Sequence, residues 1–151
     1  MQKASITGWG KYLPDKVLTN EDLEEMVDTS DEWIKSRTGI KQRNIAAKNQ
    51  TTGDLAYHAS QKALAKADLK AENLDMIIVA TVTPDMPFPA TSCILEDRLG
   101  AANAATFDLE AGCSGFVYGL SVASQFIETG MNDNILVVGA ETLSKIMERM
   151  E

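Results

Sequence analysis

Apolar and polar positions along the chain follow two rhythms, one typical of buried strands and one typical of amphipathic helices. Nearly continuous apolar runs over residues 75–81, 104–108 and 135–139 predict strands that are covered on both faces of a sheet. Around these runs, apolar residues recur at three- and four-residue spacing, the period of an amphipathic helix. The resulting β-α-β-α-β order indicates an α/β fold with a mostly parallel sheet and helices on both faces.

The first two helices are predicted from their capping residues. Asn20 is expected to cap a helix over residues 21–27. Thr29, with Glu32 three residues later, matches a capping box and predicts a second helix, which Gly39 ends.

The longest helix of the first half is predicted to begin at Thr51, with Asp54 three residues later. Its apolar stripe is rich in alanine, which indicates close packing on a sheet; the stripe comprises Leu55, Ala59, Ala63, Leu64 and Ala67. His58, the only histidine in the chain, lies in this helix. Nothing in the sequence brings it to a nucleophile, so a surface or half-buried position is favoured over a role as catalytic base.

The remaining segments are predicted to be a first strand and irregular connections. Residues 3–9 alternate enough to predict a strand, whereas residues 40–50 are polar and without period and predict a surface connection. Residues 83–89 hold three prolines and predict a stiff extended loop that presents Phe88. That aromatic either packs on its own domain or forms a wall of a ligand or partner pocket. A helix over 90–99 follows.

Cys113 is the candidate nucleophile, because it lies where a predicted strand ends and a predicted helix begins. The N–H groups of a helix's first turn carry partial positive charge and favour a thiolate over a thiol. Gly112, Ser114 and Gly115 leave little bulk around the sulfur, so a carbonyl could approach and a backbone N–H could receive the oxyanion. A buried structural cysteine is the alternative, and position alone does not decide between the two.

Composition describes an ordinary globular protein and excludes several function classes. The 151 residues are 44% hydrophobic and 24% charged, and one domain is expected. No apolar run is long enough for a bilayer and no signal peptide is evident, so a cytoplasmic protein without a membrane partner is expected. Cys93 and Cys113 lack metal-type spacing, so no metal is expected. No P-loop or GxGxxG pattern points to a nucleotide cofactor.

A net charge of -8 argues against nucleic acid as a partner, because phosphate backbones require a basic surface. The one concentration of positive charge is interpreted as a solvated face, and it consists of Lys35, Arg37, Lys41 and Arg43.

Four stretches together resemble one family. They are Asp28-Thr29-Ser30-Asp31-Glu32-Trp33-Ile34, Arg37-Thr38-Gly39-Ile40, Ala80-Thr81-Val82-Thr83-Pro84-Asp85 and Gly112-Cys113-Ser114-Gly115-Phe116. Their order and spacing are similar to those of β-ketoacyl-acyl-carrier-protein synthase III, the initiating condensing enzyme of dissociated fatty-acid synthesis. The resemblance implies a thiolase-like fold of two similar halves. Residues 1–151 would form the N-terminal half, with the C-terminal half absent.

The same resemblance implies the chemistry and the site. Cys113 matches the cysteine that takes an acyl group from acyl-CoA and transfers it to a carbanion made from malonyl-acyl-carrier protein. Trp33 and Arg37 match residues that line the CoA entrance, and Thr29 matches a position that contacts the adenine, besides its predicted role as a cap. Phe88 matches a residue that bounds the partner's acyl pocket in a homodimer. Acyl-CoA is the substrate, and no cofactor is implied.

The chain also departs from the family pattern. Family members commonly have alanine where Gly112 stands, and Glu110 would oppose a thiolate unless it faces away from Cys113, as we expect. Residues 148–151 match the family's adenine-clamping segment imperfectly. The family's catalytic histidine and asparagine have no counterpart here. The sequence therefore predicts a fragment that cannot condense alone.

Two alternatives stay open at this point. One is a non-catalytic half-module that binds an acyl group or a partner protein. The other is a related thiolase-fold synthase of polyketides or of hydroxymethylglutaryl-CoA.

Overall fold

The computed structural model describes residues 3–147, which form two compact units. The larger unit comprises residues 3–12 and 51–143, and the smaller unit comprises residues 13–50 and 144–147. In chain order the elements are β1 (Lys16–Thr19), α1 (Asn20–Glu24), α2 (Asp31–Thr38), β2 (Gln42–Ile45), α3 (Thr52–Ala67), β3 (Met76–Ala80), α4 (Thr91–Leu99), β4 (Ala105–Leu109), α5 (Gly115–Glu128), β5 (Ile135–Gly139) and α6 (Ser144–Met147). Two short 3₁₀ turns cover Ala71–Asn73 and Gly112–Ser114.

The larger unit contains the predicted parallel sheet. Its three strands lie in the order β4-β3-β5, and both pairings are parallel. Met76 at the start of β3 aligns with Ala105 of β4 and with Ile135 of β5, so the three strands end at the same edge. All five residues of β3 are buried, which confirms it as the central strand predicted from its apolar run. The α/β fold class is therefore confirmed.

Helices cover both faces of this sheet because successive side chains of each strand point to opposite sides. Ile77 and Val79 of β3 lie in a core with residues of α3 and α4; its other buried members include Ala56, Leu64, Leu95, Leu136 and Val138. Met76 and Ile78 lie in a second core with Ala123 of α5. Burying side chains such as Ile77 and Ile78 stabilises the fold by roughly 1.5–3 kcal/mol each.

The strand predicted over residues 3–9 is wrong, because this segment has no regular secondary structure. It lies instead on helix α3, where a Cβ on Gly8 or Gly10 would collide with the helix backbone. Outward-facing residues of the segment are exposed, and the Lys66 ammonium lies 4.0 Å from the centroid of the Trp9 ring. Ile6 and Trp9 are 75% and 61% exposed, so the alternation in the sequence does not mark a buried strand face, and Gly8 and Gly10 bring the segment onto α3 instead.

Two strands of the smaller unit were not predicted. β1 and β2 pair antiparallel, with Lys16 opposite Ile45 and Thr19 opposite Gln42. The segment 40–50, which we expected to be irregular, therefore contains a strand. Its polar sequence has no alternation because no residue of β2 is fully buried, so neither face of the strand has to be apolar.

Two helix caps of the smaller unit also differ from the prediction. Thr19, not Asn20, caps α1, through a capping box with Asp22. Ser30, not Thr29, caps α2, since its Oγ accepts the Trp33 N–H at 3.1 Å. In each case the N-cap is the residue next to the predicted one, and its hydroxyl accepts the backbone N–H.

Asn20 is instead the buried polar centre of the smaller unit. Its Nδ2 donates to Asp31 Oδ1 and to the Ile40 carbonyl, both at 2.8 Å, and its Oδ1 accepts from Arg43 Nη1 at 2.7 Å. These bonds connect α1, α2 and β2.

Other helix boundaries agree with the prediction, but α1 ends at Glu24 and not at the predicted residue 27. Gly39 and Gly100 end α2 and α4, and a capping box of Thr51 and Asp54 opens α3. No helix within residues 3–147 has both the length and the apolar character that a membrane span needs. The imperfect match at residues 148–151 lies outside the described residues.

Candidate active site

Cys113 lies at the edge of the sheet where the parallel strands end. It belongs to the turn Gly112–Ser114, which connects β4 to α5, as the sequence predicted. The turn is closed by a hydrogen bond from the Ser114 N–H to the Ala111 carbonyl at 3.2 Å. Gly112 has a positive φ of 53°, a conformation that side chains disfavour. Cys113 is exposed, so it is not a buried structural cysteine of this unit.

Helix α5 starts directly against the central strand. Gly115 is buried, and a Cβ there would lie 3.1 Å from the Ala80 Cβ at the end of β3. The next three residues, Phe116, Val117 and Tyr118, are 46%, 60% and 55% exposed. An apolar surface therefore adjoins Cys113 on the first turn of the helix.

A partly buried polar network occupies the same edge of the sheet, and the sequence analysis did not predict it. The Glu141 carboxylate, after β5, accepts the Val82 N–H at 2.9 Å and the hydroxyls of Thr81 and Thr83, after β3. Thr142 donates its N–H to Thr83 Oγ1 at 2.9 Å. The network joins the ends of β3 and β5. Hydroxyls and a carboxylate that follow neighbouring parallel strands were the signal that could have revealed it.

The loop that carries Phe88 is held at both ends by carboxylates. Asp85 Oδ1 accepts the Gly53 N–H at 2.8 Å, and Asp85 Oδ2 accepts the Thr51 hydroxyl at 2.9 Å. At the other end, Asp108 of β4 accepts backbone N–H groups from the start of α4. Phe88 itself is 87% exposed, which contradicts the alternative that it packs on its own unit.

The residues expected at a CoA entrance lie in the smaller unit, whereas Cys113 and Phe88 lie in the larger one. A depression of about 340 Å³ is lined by Asp28, Thr29, Ser30 and Trp33. Because Ser30 caps α2, Thr29 does not serve as the cap and lines this depression instead.

Trp33 and Arg37 form an exposed aromatic and cationic pair beside the depression. The Trp33 side chain is 57% exposed, and the Arg37 guanidinium carbon lies 5.8 Å from the centroid of its ring. An indole face and a guanidinium suit a planar heterocycle and a phosphate.

Two other basic residues of this region have partners inside the smaller unit. Lys35 Nζ lies 2.7 Å from Asp31 Oδ2. This hydrogen bond raises the pKa of Lys35, and the hydrogen bonds donated by Lys35 and Asn20 lower the pKa of Asp31. Arg43 bonds to Asn20. The basic run is thus not uniformly a solvated face.

His58 lies on the surface of α3, with its ring centroid 4.8 Å from that of Tyr12 and 5.5 Å from that of Tyr57. Its surface position agrees with the prediction.

Glu110, which we expected to face away from Cys113, is exposed. Within residues 3–147, no three His, Cys, Asp or Glu side chains come close enough together to hold a metal ion.

Known proteins match this chain over nearly its whole length. A family model described as 3-oxoacyl-[acyl-carrier-protein] synthase III matches residues 107–151. The β-ketoacyl-[acyl-carrier-protein] synthase III of Caldanaerobacter subterraneus subsp. tengcongensis is 67% identical over 144 residues, which are 95% of this chain and 44% of that protein. The Geobacillus kaustophilus protein of the same name is 57% identical over 145 residues, 96% of this chain and 47% of its own length. The chain spans about half the length of the curated relatives that it matches.

Solved structures agree with these relatives. The crystal structure of 3-oxoacyl-[acyl-carrier-protein] synthase III from Aquifex aeolicus superposes with a TM-score of 0.90 at 51% identity, over 96% of this chain and 46% of that one. A priming β-ketosynthase from the R1128 polyketide pathway reaches the same TM-score, 0.90, at 35% identity, over 93% of this chain and 42% of that one.

The fold and these matches define a thiolase-like α/β chain. The particular proteins that the chain resembles are β-ketoacyl-acyl-carrier-protein synthases III, and it matches their N-terminal half. This match confirms the resemblance predicted from the motifs.

Proposed function

We propose that this chain carries the acyl-accepting cysteine of an initiating condensing enzyme in fatty-acid synthesis. The Cys113 sulfur attacks the carbonyl carbon of an acyl-CoA thioester, the bond to the CoA sulfur breaks, and CoA leaves as the acyl group stays on Cys113. A carbanion formed by decarboxylation of malonyl-acyl-carrier protein then attacks the acyl carbon and releases the Cys113 sulfur. The observation that carries the proposal is the exposed Cys113 in the turn before α5, within the segment that the family model matches.

The position of Cys113 suits both the formation of its thiolate and the stabilisation of the oxyanion that its attack creates. The N-terminus of a 14-residue helix follows it, and such a terminus stabilises negative charge on nearby atoms. The attack creates an oxyanion on the acyl carbonyl, and backbone N–H groups of a turn are the donors that such an oxyanion requires.

The proposed CoA contacts are Trp33, Arg37 and Thr29. Trp33 and Arg37 are exposed and Thr29 is half-buried, and all three lie on the smaller unit, where Thr29 and Trp33 line the depression. Phe88 is proposed to contact the acyl chain bound by a partner subunit in a homodimer, which its 87% exposure permits. Malonyl-acyl-carrier protein is the proposed second substrate. The cytoplasmic location and the absence of a cofactor stay predictions.

A polypeptide of these 151 residues is predicted not to condense by itself, because none of its residues match the family's catalytic histidine and asparagine. The alternative function is a half-module that binds an acyl group or a partner without chemistry. A synthase of another thiolase-fold class would instead form a different product from the same acylated cysteine.

The test joins this chain to the C-terminal half of the Caldanaerobacter relative, which is 67% identical over the matched part. The chimera and its Cys113→Ala and Cys93→Ala variants are incubated with acetyl-CoA and analysed by intact mass. Cys93 is the matched control because it is half-buried and its sulfur contacts the Thr106 hydroxyl at 3.2 Å. We expect one acetyl group on the parent and on Cys93→Ala, and none on Cys113→Ala.

After addition of malonyl-acyl-carrier protein, the parent chimera and its Cys93→Ala variant should form a β-ketoacyl-acyl-carrier protein, and Cys113→Ala should not. An acetyl group that persists in Cys113→Ala, or a folded chimera that is never acylated, contradicts the proposal and favours the non-catalytic module. A product other than a β-ketoacyl-acyl-carrier protein favours another thiolase-fold synthase.

A further inference from the structure

Asp108 connects the strand that leads to Cys113 with the helix that follows the Phe88 loop. Its Oδ2 accepts the Thr91 N–H and its Oδ1 accepts the Ser92 N–H, both at 2.8 Å. The residue before α4 is Ala90, whose side chain cannot cap a helix. The cap therefore comes from Asp108, 17 residues beyond Thr91 in the chain and on a different element.

Few residues separate this carboxylate from the two proposed functional side chains. Only Pro89 and Ala90 lie between Phe88 and Thr91, and four residues lie between Asp108 and Cys113. Proline fixes φ, so the short link to Phe88 has little freedom. This pair of hydrogen bonds therefore joins the end of the Phe88 loop to the strand that leads to Cys113.

The N-terminal end of the Phe88 loop is held by Asp85, which also contacts Thr91. Asp85 binds the start of α3 through Gly53 and Thr51, and its own N–H donates to Thr91 Oγ1 at 3.2 Å. Thr91 is fully buried. Thr91 therefore contacts both aspartates: its N–H donates to the Asp108 carboxylate, and its hydroxyl oxygen accepts the Asp85 N–H.

The two hydrogen bonds satisfy N–H groups of the fully buried residues Thr91 and Ser92, but they also order a loop whose aromatic ring is not buried. Phe88 is 87% exposed, so ordering its loop costs conformational entropy without burying the aromatic ring. A fixed but exposed aromatic is useful only when a ligand or another chain contacts it, and residues that bind ligands lie mostly on loops that a rigid scaffold positions.

We propose that Asp108 is a positioning residue: it fixes the C-terminal end of the Phe88 loop on β4 and thereby places Phe88 where it limits the length of the acyl chain that the partner subunit accepts. This inference rests on the proposed function, in which Phe88 contacts the acyl chain bound by the partner subunit of a homodimer. Asp108 touches neither substrate nor the reacting atoms, and it acts through the start of α4.

The test uses Asp108→Asn in the chimera described above. An amide has one carbonyl oxygen in place of two carboxylate oxygens, so the variant keeps one acceptor and loses the negative charge at the start of α4. We measure kcat/KM for Cys113 acylation with a series of straight-chain acyl-CoA thioesters. The ratio between the preferred primer and the thioester two carbons longer should fall about tenfold, within the range by which pockets discriminate single methylene groups. The acylation rate at saturating preferred primer should change much less than this ratio.

Asp75→Asn is the matched control. Asp75 Oδ2 also accepts two consecutive backbone N–H groups, those of Asp133 and Asn134, both at 2.8 Å, but it does so before β3 and β5, at the opposite edge of the sheet. Its loss should lower stability and leave the acyl-chain preference unchanged.

An unchanged preference in folded Asp108→Asn, or the same loss of preference in Asp75→Asn, overturns the inference and leaves Asp108 with a structural role. If Asp108→Asn does not fold, Asp85→Asn loosens the other anchor and should relax the preference in the same direction; an unchanged preference there also overturns it. A parent chimera that is never acylated at Cys113 refutes the proposed function itself, which separates the two failures.

Discussion

Gly10 lies directly on the carbonyl oxygen of Ala59 in helix α3, so the two segments leave no room for a side chain between them. A Cβ on Gly10 would also lie 2.6 Å from the Ala63 backbone nitrogen. Backbone atoms of a helix cannot move aside without loss of their hydrogen bonds. Gly10→Ala should therefore lower the free energy of unfolding by about 1–3 kcal/mol, the usual cost of overpacking.

Chemical denaturation of the variant measures this loss. Ser5→Ala is the control, because Ser5 is an exposed residue of the same segment and its truncation creates no collision. Equal stability of the two variants would show that the segment 3–12 does not pack on α3 in solution.

Asp54 should make stability depend on pH. Burial acts to raise its pKa, but the hydrogen bond from the Thr51 N–H and the hydrogen bond and charge of Arg98 outweigh burial, so the pKa lies below its ordinary value of 3.8. A carboxyl whose pKa is lowered by folding stabilises the folded state above the unfolded pKa. This contribution is lost as the pH falls below about 4 and through the lowered pKa of the folded state.

Asp54→Asn should consequently lose about 1 kcal/mol or less at pH 7, since the ion pair with Arg98 is partly exposed. Thermal denaturation between pH 7 and pH 2 should show the difference from the parent shrink at the acid end. Asp97→Asn removes an exposed carboxylate from α4 and serves as the control. A difference that stays constant with pH would contradict the assignment to Asp54.

Asn20 should control the stability of the smaller unit. Asn20→Ala leaves the Ile40 carbonyl, the Asp31 carboxylate and the Arg43 guanidinium without one hydrogen-bond partner each. Since Asn20 is fully buried, we expect a loss of about 2–3 kcal/mol.

The two tryptophans allow this loss to be located, because Trp33 lies in the smaller unit and Trp9 in the larger one. In a Trp9→Phe background, denaturant titration monitored by Trp33 fluorescence should shift to lower denaturant for Asn20→Ala. Gln42→Ala, at an exposed position of β2, should leave the midpoint near that of the parent. An unshifted Trp33 transition in Asn20→Ala would show that these hydrogen bonds do not hold the unit together.

Gly112 should be sensitive to substitution because of its backbone conformation. Its φ is +53°, and no atom lies within 4 Å of the Cβ that alanine would add, so the cost of Gly112→Ala is conformational and not steric. A non-glycine residue in this left-handed backbone conformation costs about 1–2 kcal/mol of stability, and asparagine adopts the conformation more readily than alanine. Denaturation should rank the parent first, then Gly112→Asn, then Gly112→Ala, and Cys113 acylation in the chimera should slow in the same order. An alanine variant as stable as the parent would show that the turn takes another conformation in solution.

The amino-acid sequence by itself determined the elements whose signals are local. The apolar runs of β3, β4 and β5 predicted the parallel sheet, and the Thr51 and Asp54 pair predicted the start of α3, because burial and capping depend on residues within a few positions of one another. The position of Cys113 between a strand and a helix followed from the same patterns, and four short motifs predicted the family to which the chain proved similar.

Only the tertiary structure decided the features that depend on distant partners. The polar strand β2 exists because β1 pairs with it, and Asn20 is buried because three other segments satisfy its amide. Asp108 reads in the sequence as an ordinary end of a strand, yet it caps a helix that begins 17 residues earlier. A hydrogen bond between residues so far apart leaves no periodic pattern in the sequence, because it depends on where the fold brings the two segments together and not on their neighbours in the chain.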